Sequence, residues 1–174
     1  TNTTWQEYII YRNDFNQQRY AEDIAGQITA DDNEEFIWEA TDKTSTIRST
    51  RNNNKTLVVD LIDASLKTAE EQLNYGKTAY LNGNNGLLKL KGDINQGAGG
   101  LYFNGNYTVS GQNANTTWTG AGISVAEGKQ VNWQIRNNDI LSKIGSGTLH
   151  VNGTGKNDGK ISVGDGTVIL NQKA

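Results

Sequence analysis

Gly147-Thr-Leu-His-Val151, Gly159-Lys-Ile-Ser-Val163 and Gly166-Thr-Val-Ile-Leu170 are three short runs, each opened by glycine and each alternating apolar with polar side chains. Alternation of period two puts one set of side chains on a buried face and the other in solvent, as a half-buried strand requires. The same unit recurs upstream as Gly86-Leu-Leu-Lys-Leu90, Gly100-Leu-Tyr-Phe103, Ile123-Ser-Val125 and Val131-Asn-Trp-Gln-Ile135. Leu149 and Val168 lie 168 − 149 = 19 positions apart, and Leu88 and Val109 lie 109 − 88 = 21 apart. Spacings of about 20, with two or three short strands inside each, fit one rung of a solenoid. Gly and Asn between the runs accept the positive φ of sharp corners. An antiparallel sandwich of hairpins is the competing arrangement, but three-residue strands with single-glycine corners favour the stack. In a stack, Leu149, Val151, Ile161, Val163, Val168 and Leu170 form an inward column. Trp118 and Trp133 are then expected inside it or capping a corner, because a thin solenoid has no room to expose them.

The repeat begins near Tyr75, and the chain before it reads differently. Over residues 1–26, Trp5, Tyr8, Ile9, Ile10 and Tyr11 make a strand-like aromatic run. Asn13 or Asp14 then offers an N-cap to a helix carrying Phe15, Tyr20 and Ile24, with Gly26 as its stop. With little nearby to bury them, Trp5, Tyr8, Ile10, Tyr11 and Phe15 are expected to dock on a neighbouring domain. Residues 27–75 form a connecting segment of short strands and acidic stretches, with Asp31, Asp32, Glu34 and Glu35 ahead of Phe36-Ile37-Trp38. Leu57-Val58-Val59 and Leu61-Ile62 follow, then a helix-compatible segment from Ala64 to Leu73. Thr44 to Thr56 reads as an exposed turn or loop. Residues 76–174 are the solenoid, and both ends of the sequence read as cut.

Composition narrows the function. The 174 residues carry a net charge of −3, no block of Lys and Arg, and no apolar run long enough for a membrane helix. Neither nucleic acid nor a membrane is therefore an expected partner. Cys, Pro and Met are each absent, while 4 Trp, 7 Tyr and 3 Phe supply large apolar faces. The lack of thiols and of slow prolyl isomerisation suits a chain that crosses a pore unfolded; cysteine pairs placed in two distant strands should then stall export under oxidising conditions.

Catalytic chemistry is thinly represented. A serine endopeptidase needs a nucleophilic Ser, a His to take its proton and an acid to orient that His. The one His, His150, sits between Leu149 and Val151 and on a strand points away from them into solvent. With no Cys and one His, a zinc or copper site is not expected. Calcium ligands exist in Asp31, Asp32, Asp60 and Asp63, but no twelve-residue calcium loop frames them. Their bland reading is solvated carboxylates. Glu34-Glu35 and Glu70-Glu71 are adjacent pairs whose members point apart, a poor start for glycoside hydrolysis. Gly97-Ala-Gly-Gly100 and Gly153-Thr-Gly-Lys156 open no apolar helix, so they read as turns rather than phosphate loops. No catalytic residue, cofactor or metal is expected.

Four phrases carry a resemblance: Asn95-Gln-Gly-Ala-Gly-Gly-Leu-Tyr-Phe103, Thr117-Trp-Thr-Gly-Ala-Gly122, Leu141-Ser-Lys-Ile-Gly-Ser-Gly-Thr-Leu149 and Ser162-Val-Gly-Asp-Gly-Thr-Val-Ile-Leu-Asn171. They are similar to the passengers of serine protease autotransporters, above all to the immunoglobulin A protease group and the related Haemophilus adhesion and penetration protein. Thr4-Trp-Gln-Glu-Tyr-Ile-Ile-Tyr-Arg12 resembles the segment just after that family's trypsin-like domain. The resemblance covers residues 1–26 and 76–174 and is weak over 27–75. It implies a right-handed parallel β-helix, preceded by a protease domain and followed by more β-helix and an outer-membrane barrel. It implies a secreted or cell-surface parent that cleaves host immunoglobulin A or host surface and matrix proteins, and that adheres to them. The family's Gly-Asp-Ser-Gly nucleophile motif is absent, since Gly164-Asp-Gly166 lacks the Ser. These residues are then expected to be a non-catalytic stem; the alternative is an adhesion or self-association module.

Overall fold

The computed structural model describes residues 24–41, 44–61, 76–138, 140–153, 157 and 159–171. Trp5, Tyr8, Ile10, Tyr11 and Phe15, and the helix-compatible segment from Ala64 to Leu73, lie outside them.

The described residues form strands and turns. One sheet stacks β1 (Ile24–Ala30), β5 (Thr78–Gly83), β8 (Leu101–Asn104), β11 (Ile123–Val125), β13 (Leu141–Ile144) and β15 (Ile161–Val163) in that order. A second stacks β2 (Glu35–Ala40), β6 (Gly86–Leu90), β9 (Tyr107–Gly111), β12 (Gln130–Gln134), β14 (Thr148–Val151) and β16 (Thr167–Leu170). Every pairing within these two stacks is parallel. The chain alternates between them, so each rung lays one strand on each sheet. A short third side pairs β7 (Ile94–Asn95) with β10 (Trp118–Thr119). This is a parallel β-solenoid, and the hairpin sandwich is excluded. Leu149 is the register partner of Val168, and Leu88 of Val109. The two spacings near 20 are therefore the length of a rung.

Parallel stacking puts like on like. The inward row Leu81, Phe103, Val125 runs down the first sheet, and Leu88, Val109, Trp133, Val151 down the second, all of them buried. No rung is wide enough to bury these side chains alone, so each is covered by the rungs above and below. Outward rows match too: Tyr80 stacks on Tyr102 at 4.6 Å between ring centroids and 12° between planes. Gln27, Asn82 and Asn104 bond in series, with Asn82 Nδ2 donating to Gln27 Oε1 over 3.0 Å and Asn104 Nδ2 to Asn82 Oδ1 over 2.9 Å.

Several expectations from the sequence are revised. Ile24 and Gly26 belong to β1, not to the last turn of a helix, because β1 is held by hydrogen bonding to β5. Parallel stacking also reaches upstream of residue 76: β1 and β2 stack on β5 and β6, so among the described residues it is present from Ile24 onward. Thr44 to Thr56 is not simply a loop. It contains β3 (Thr44–Ser49), which pairs antiparallel with β2 and with β4 (Thr56–Asp60). Its inward side chains are Ser45, Ile47 and Ser49, and the two serines hide the apolar alternation from a hydropathy reading. The β3–β4 hairpin folds over the first rung, where β4 meets β1 and buries Leu57, Val59 and Leu61. At the other end of the described stack, Leu149 and Val151 are buried and Ile161 and Val168 half-buried, while Val163 and Leu170 are 49% and 52% exposed. These last two were expected in the inward column; they face that way, but no described strand lies over them.

Candidate functional site

Among the polar side chains buried in this stack, Glu34, Gln96 and Lys143 each engage several partners. Glu34, just ahead of β2, accepts from the Asp31 amide (2.9 Å), the Ser49 hydroxyl (2.6 Å) and Lys55 Nζ (2.7 Å). Burial opposes its ionisation, but the Asp31 amide, Lys55 and Ser49 together outweigh that and hold the carboxyl at about 2. The carboxylate thus ties the capping hairpin to the first rung. Gln96, beyond β7, donates from Nε2 to the carbonyls of Lys77 (2.7 Å) and Gly100 (2.8 Å) and accepts from the indole of Trp118 (3.0 Å). Lys143 takes the inward position between Ile123 and Val163, where an aliphatic side chain is the rule. Its ammonium donates to the carbonyls of Gly145 (2.6 Å), Gly147 (2.6 Å) and Asp165 (2.9 Å), which belong to two successive rungs. Burial lowers its affinity for a proton and the charge of Asp165 partly restores it.

None of these three looked inward from the sequence alone. The signals were faint: Glu34 breaks into an acidic pair, and Lys143 occupies an inward slot of an otherwise regular strand. Trp118 and Trp133 were legible, and they meet edge to face inside the stack, 5.6 Å apart at 87°.

The residues weighed for chemistry are dispersed. His150 lies on the outer face of β14, and its Nε2 is 2.7 Å from Oε1 of Gln130. Its register partners are Asn132 and Ile169, so among the described residues no serine hydroxyl or carboxylate is bonded to it. Asp31 pairs with Lys55 at 3.3 Å in solvent, and Asp32 accepts from Asn85 Nδ2 at 2.7 Å. Among the described residues no three His, Asp or Glu side chains converge as metal ligands would. Asp63, Glu70 and Glu71 lie outside those residues. In the Gly97–Gly100 phrase, a Cβ at Gly99 would collide with the carbonyl of Lys77, so glycine there serves close backbone packing between rungs.

One concavity does gather side chains. It follows the corner that leads into β6, β9 and β12 and has a volume of about 480 Å³. Asn33, Asn85, Leu87, Asn106, Gln130 and Asn132 form much of its wall. Asn33 and Asn85 hold left-handed backbone there, at φ 60° and 49°. Tyr107 closes the floor, its hydroxyl donating to the carbonyl of Asn82 over 2.7 Å, and burial, aided by the charge of Glu34, pushes its phenol up.

Comparison with known proteins places this architecture. No family model matches the chain. It is 47% identical over 98% of its length to the immunoglobulin A1 protease autotransporter of Haemophilus influenzae, and equally to the IgA-specific serine endopeptidase autotransporter of Neisseria gonorrhoeae. An adhesion and penetration protein autotransporter of H. influenzae is 52% identical over 108 residues, 60% of the chain. Among solved structures, that of the H. influenzae Hap adhesin superposes over 92% of the chain with a TM-score of 0.79 and 37% identity, the match spanning 20% of that protein. The chain spans about a tenth of the length of the curated relatives it matches.

Proposed function

The chain belongs to the serine protease autotransporter passengers, and from that premise we propose that these residues are a non-catalytic stem. The stem supports and positions a protease domain held elsewhere in the same polypeptide. The observation that carries this reading is the use made of the polar residues: Glu34 ties the capping hairpin to the first rung, and Gln96 and Lys143 join one rung to the next. His150 is bonded to an amide, not to a nucleophile or an acid. A triad requires a base within reach of both. In this reading the parent is a trypsin-like endopeptidase, exported across the outer membrane, whose substrates are host immunoglobulin A or host surface and matrix proteins. Upstream protease domain, downstream β-helix and barrel are then the stem's covalent partners.

An in-frame deletion of residues 24–171 from the full-length parent tests the stem role. Cleavage of a short peptide substrate should persist, while the displayed passenger loses resistance to added trypsin. Undiminished display and resistance would refute it.

A second reading, an adhesion or self-association module, is favoured by the likeness to the Hap adhesin. Purified chain should then retain immobilised matrix protein, or sediment as more than a monomer as its concentration rises; absence of both leaves the stem reading alone.

A further inference from the structure

We propose that the cleft at the corner of β6, β9 and β12 is a binding site for an uncharged oligosaccharide, a function independent of the stem role. Ten residues line the cleft and none of them carries a charge. Its volume of about 480 Å³ lies within the usual span of small-ligand sites, roughly 300 to 1,000 Å³.

Three amides on its wall, those of Asn85, Asn106 and Gln130, are held in fixed orientations, each with one atom committed and the other open. Asn85 donates from Nδ2 to Asp32 Oδ1 at 2.7 Å, which leaves Oδ1 as an acceptor. Asn106 accepts the Gln130 backbone N–H on Oδ1 at 2.8 Å, which leaves Nδ2 as a donor. Gln130 presents Oε1 to His150 at 2.7 Å, which leaves Nε2 as a donor. These three residues stand at equivalent corners of successive rungs, about 4.8 Å apart as hydrogen-bonded strands must be. Leu87, 37% exposed, adds an apolar surface among them.

An acceptor and two donors at rung spacing around a small apolar patch complement a molecule that carries hydroxyls on its rim and C–H groups on its face. That is the surface of a sugar. Without a cation on the wall, phosphate, sulfate and carboxylate groups have nothing to pay for their desolvation. A peptide adding as a strand needs free backbone groups, and at this corner Gly86 N–H is bonded to Asn106 O (2.9 Å) and Leu87 N–H to Glu34 O (2.9 Å). Preorganisation reduces the ordering cost of binding.

The test is titration of the isotope-labelled chain with neutral hexose and N-acetylhexosamine tetrasaccharides, followed through the side-chain NH2 resonances of Asn106 and Gln130. Sulfated tetrasaccharide and an uncharged extended hexapeptide serve as comparisons. Asn106→Asp and Gln130→Glu keep the committed oxygen of each amide and replace only the open donor. A neutral tetrasaccharide should shift both resonances, and each variant should weaken that binding at least tenfold without moving the melting temperature. No shift at millimolar sugar, equal binding by both variants, or a response confined to the sulfated sugar or the peptide would overturn the proposal.

Discussion

Trp118 donates its indole N–H to Oε1 of Gln96 across 3.0 Å in the dry interior, and the same Gln96 amide holds the carbonyls of Lys77 and Gly100. One side chain therefore satisfies three groups from neighbouring rungs. Replacing it by leucine keeps the volume and removes every bond. Because buried unpaired polar groups cost about 1–3 kcal/mol each, Gln96→Leu should lower stability in urea by about 2–4 kcal/mol, whereas a loss under 1 kcal/mol would show the bonds to be dispensable.

Lys143 makes a parallel case with charge. Lys143→Met preserves the stem of the side chain and strands the carbonyls of Gly145, Gly147 and Asp165, and should cost about 2 kcal/mol or more. The sign of the pH effect follows from burial. The folded chain holds the Lys143 proton less tightly than the unfolded chain does. Wild-type stability relative to Lys143→Met should consequently rise as pH climbs through the folded value toward the ordinary lysine value of 10.5. A difference between the two that stays flat over this range would contradict the buried, charged assignment.

Acid should act through Glu34. Its carboxyl titrates at about 2 in the folded chain against an ordinary 4.5. The stabilisation it gives is complete above 4.5 and fades as pH falls toward 2. Urea midpoints measured at neutral and acid pH should converge between wild type and Glu34→Gln as the pH drops. Parallel curves would mean that the carboxylate is not what latches the capping hairpin.

The paired tryptophans add a packing test. Trp118 and Trp133 fill the interior of adjacent rungs edge to face, and Trp133→Ala should cost about 3–5 kcal/mol, as large-to-small core changes do. Thermal unfolding reads it directly, and a melting temperature within a degree of wild type would place the indole outside the core.

How much of this was legible in the sequence depends on what repeats. Leu88 with Val109, and Leu149 with Val168, gave the rung length because parallel stacking puts equivalent residues in register. His150 was placed on the outer face by its neighbours alone. The first rung was not legible, because Phe36 and Trp38 lie in β2 ahead of a hairpin that departs from the repeat and whose inward positions include Ser45 and Ser49. Nor were the inward Glu34, Gln96 and Lys143, since hydropathy assigns such residues to solvent and only the carbonyls and hydroxyls that meet them make burial affordable. The cleft escaped for another reason. Asn85, Asn106 and Gln130 read as ordinary corner residues until the stack brings them onto one wall.

Whether this chain is stem or enzyme is decided most directly by a fluorophosphonate probe, which labels only an activated serine. The purified chain and the full-length passenger would be treated side by side, and the labelled peptide located by mass spectrometry. The account predicts no label on the chain and a single labelled serine in the passenger, outside residues 1–174. A label on any serine of this chain, or cleavage of immunoglobulin A by the chain alone, would contradict it.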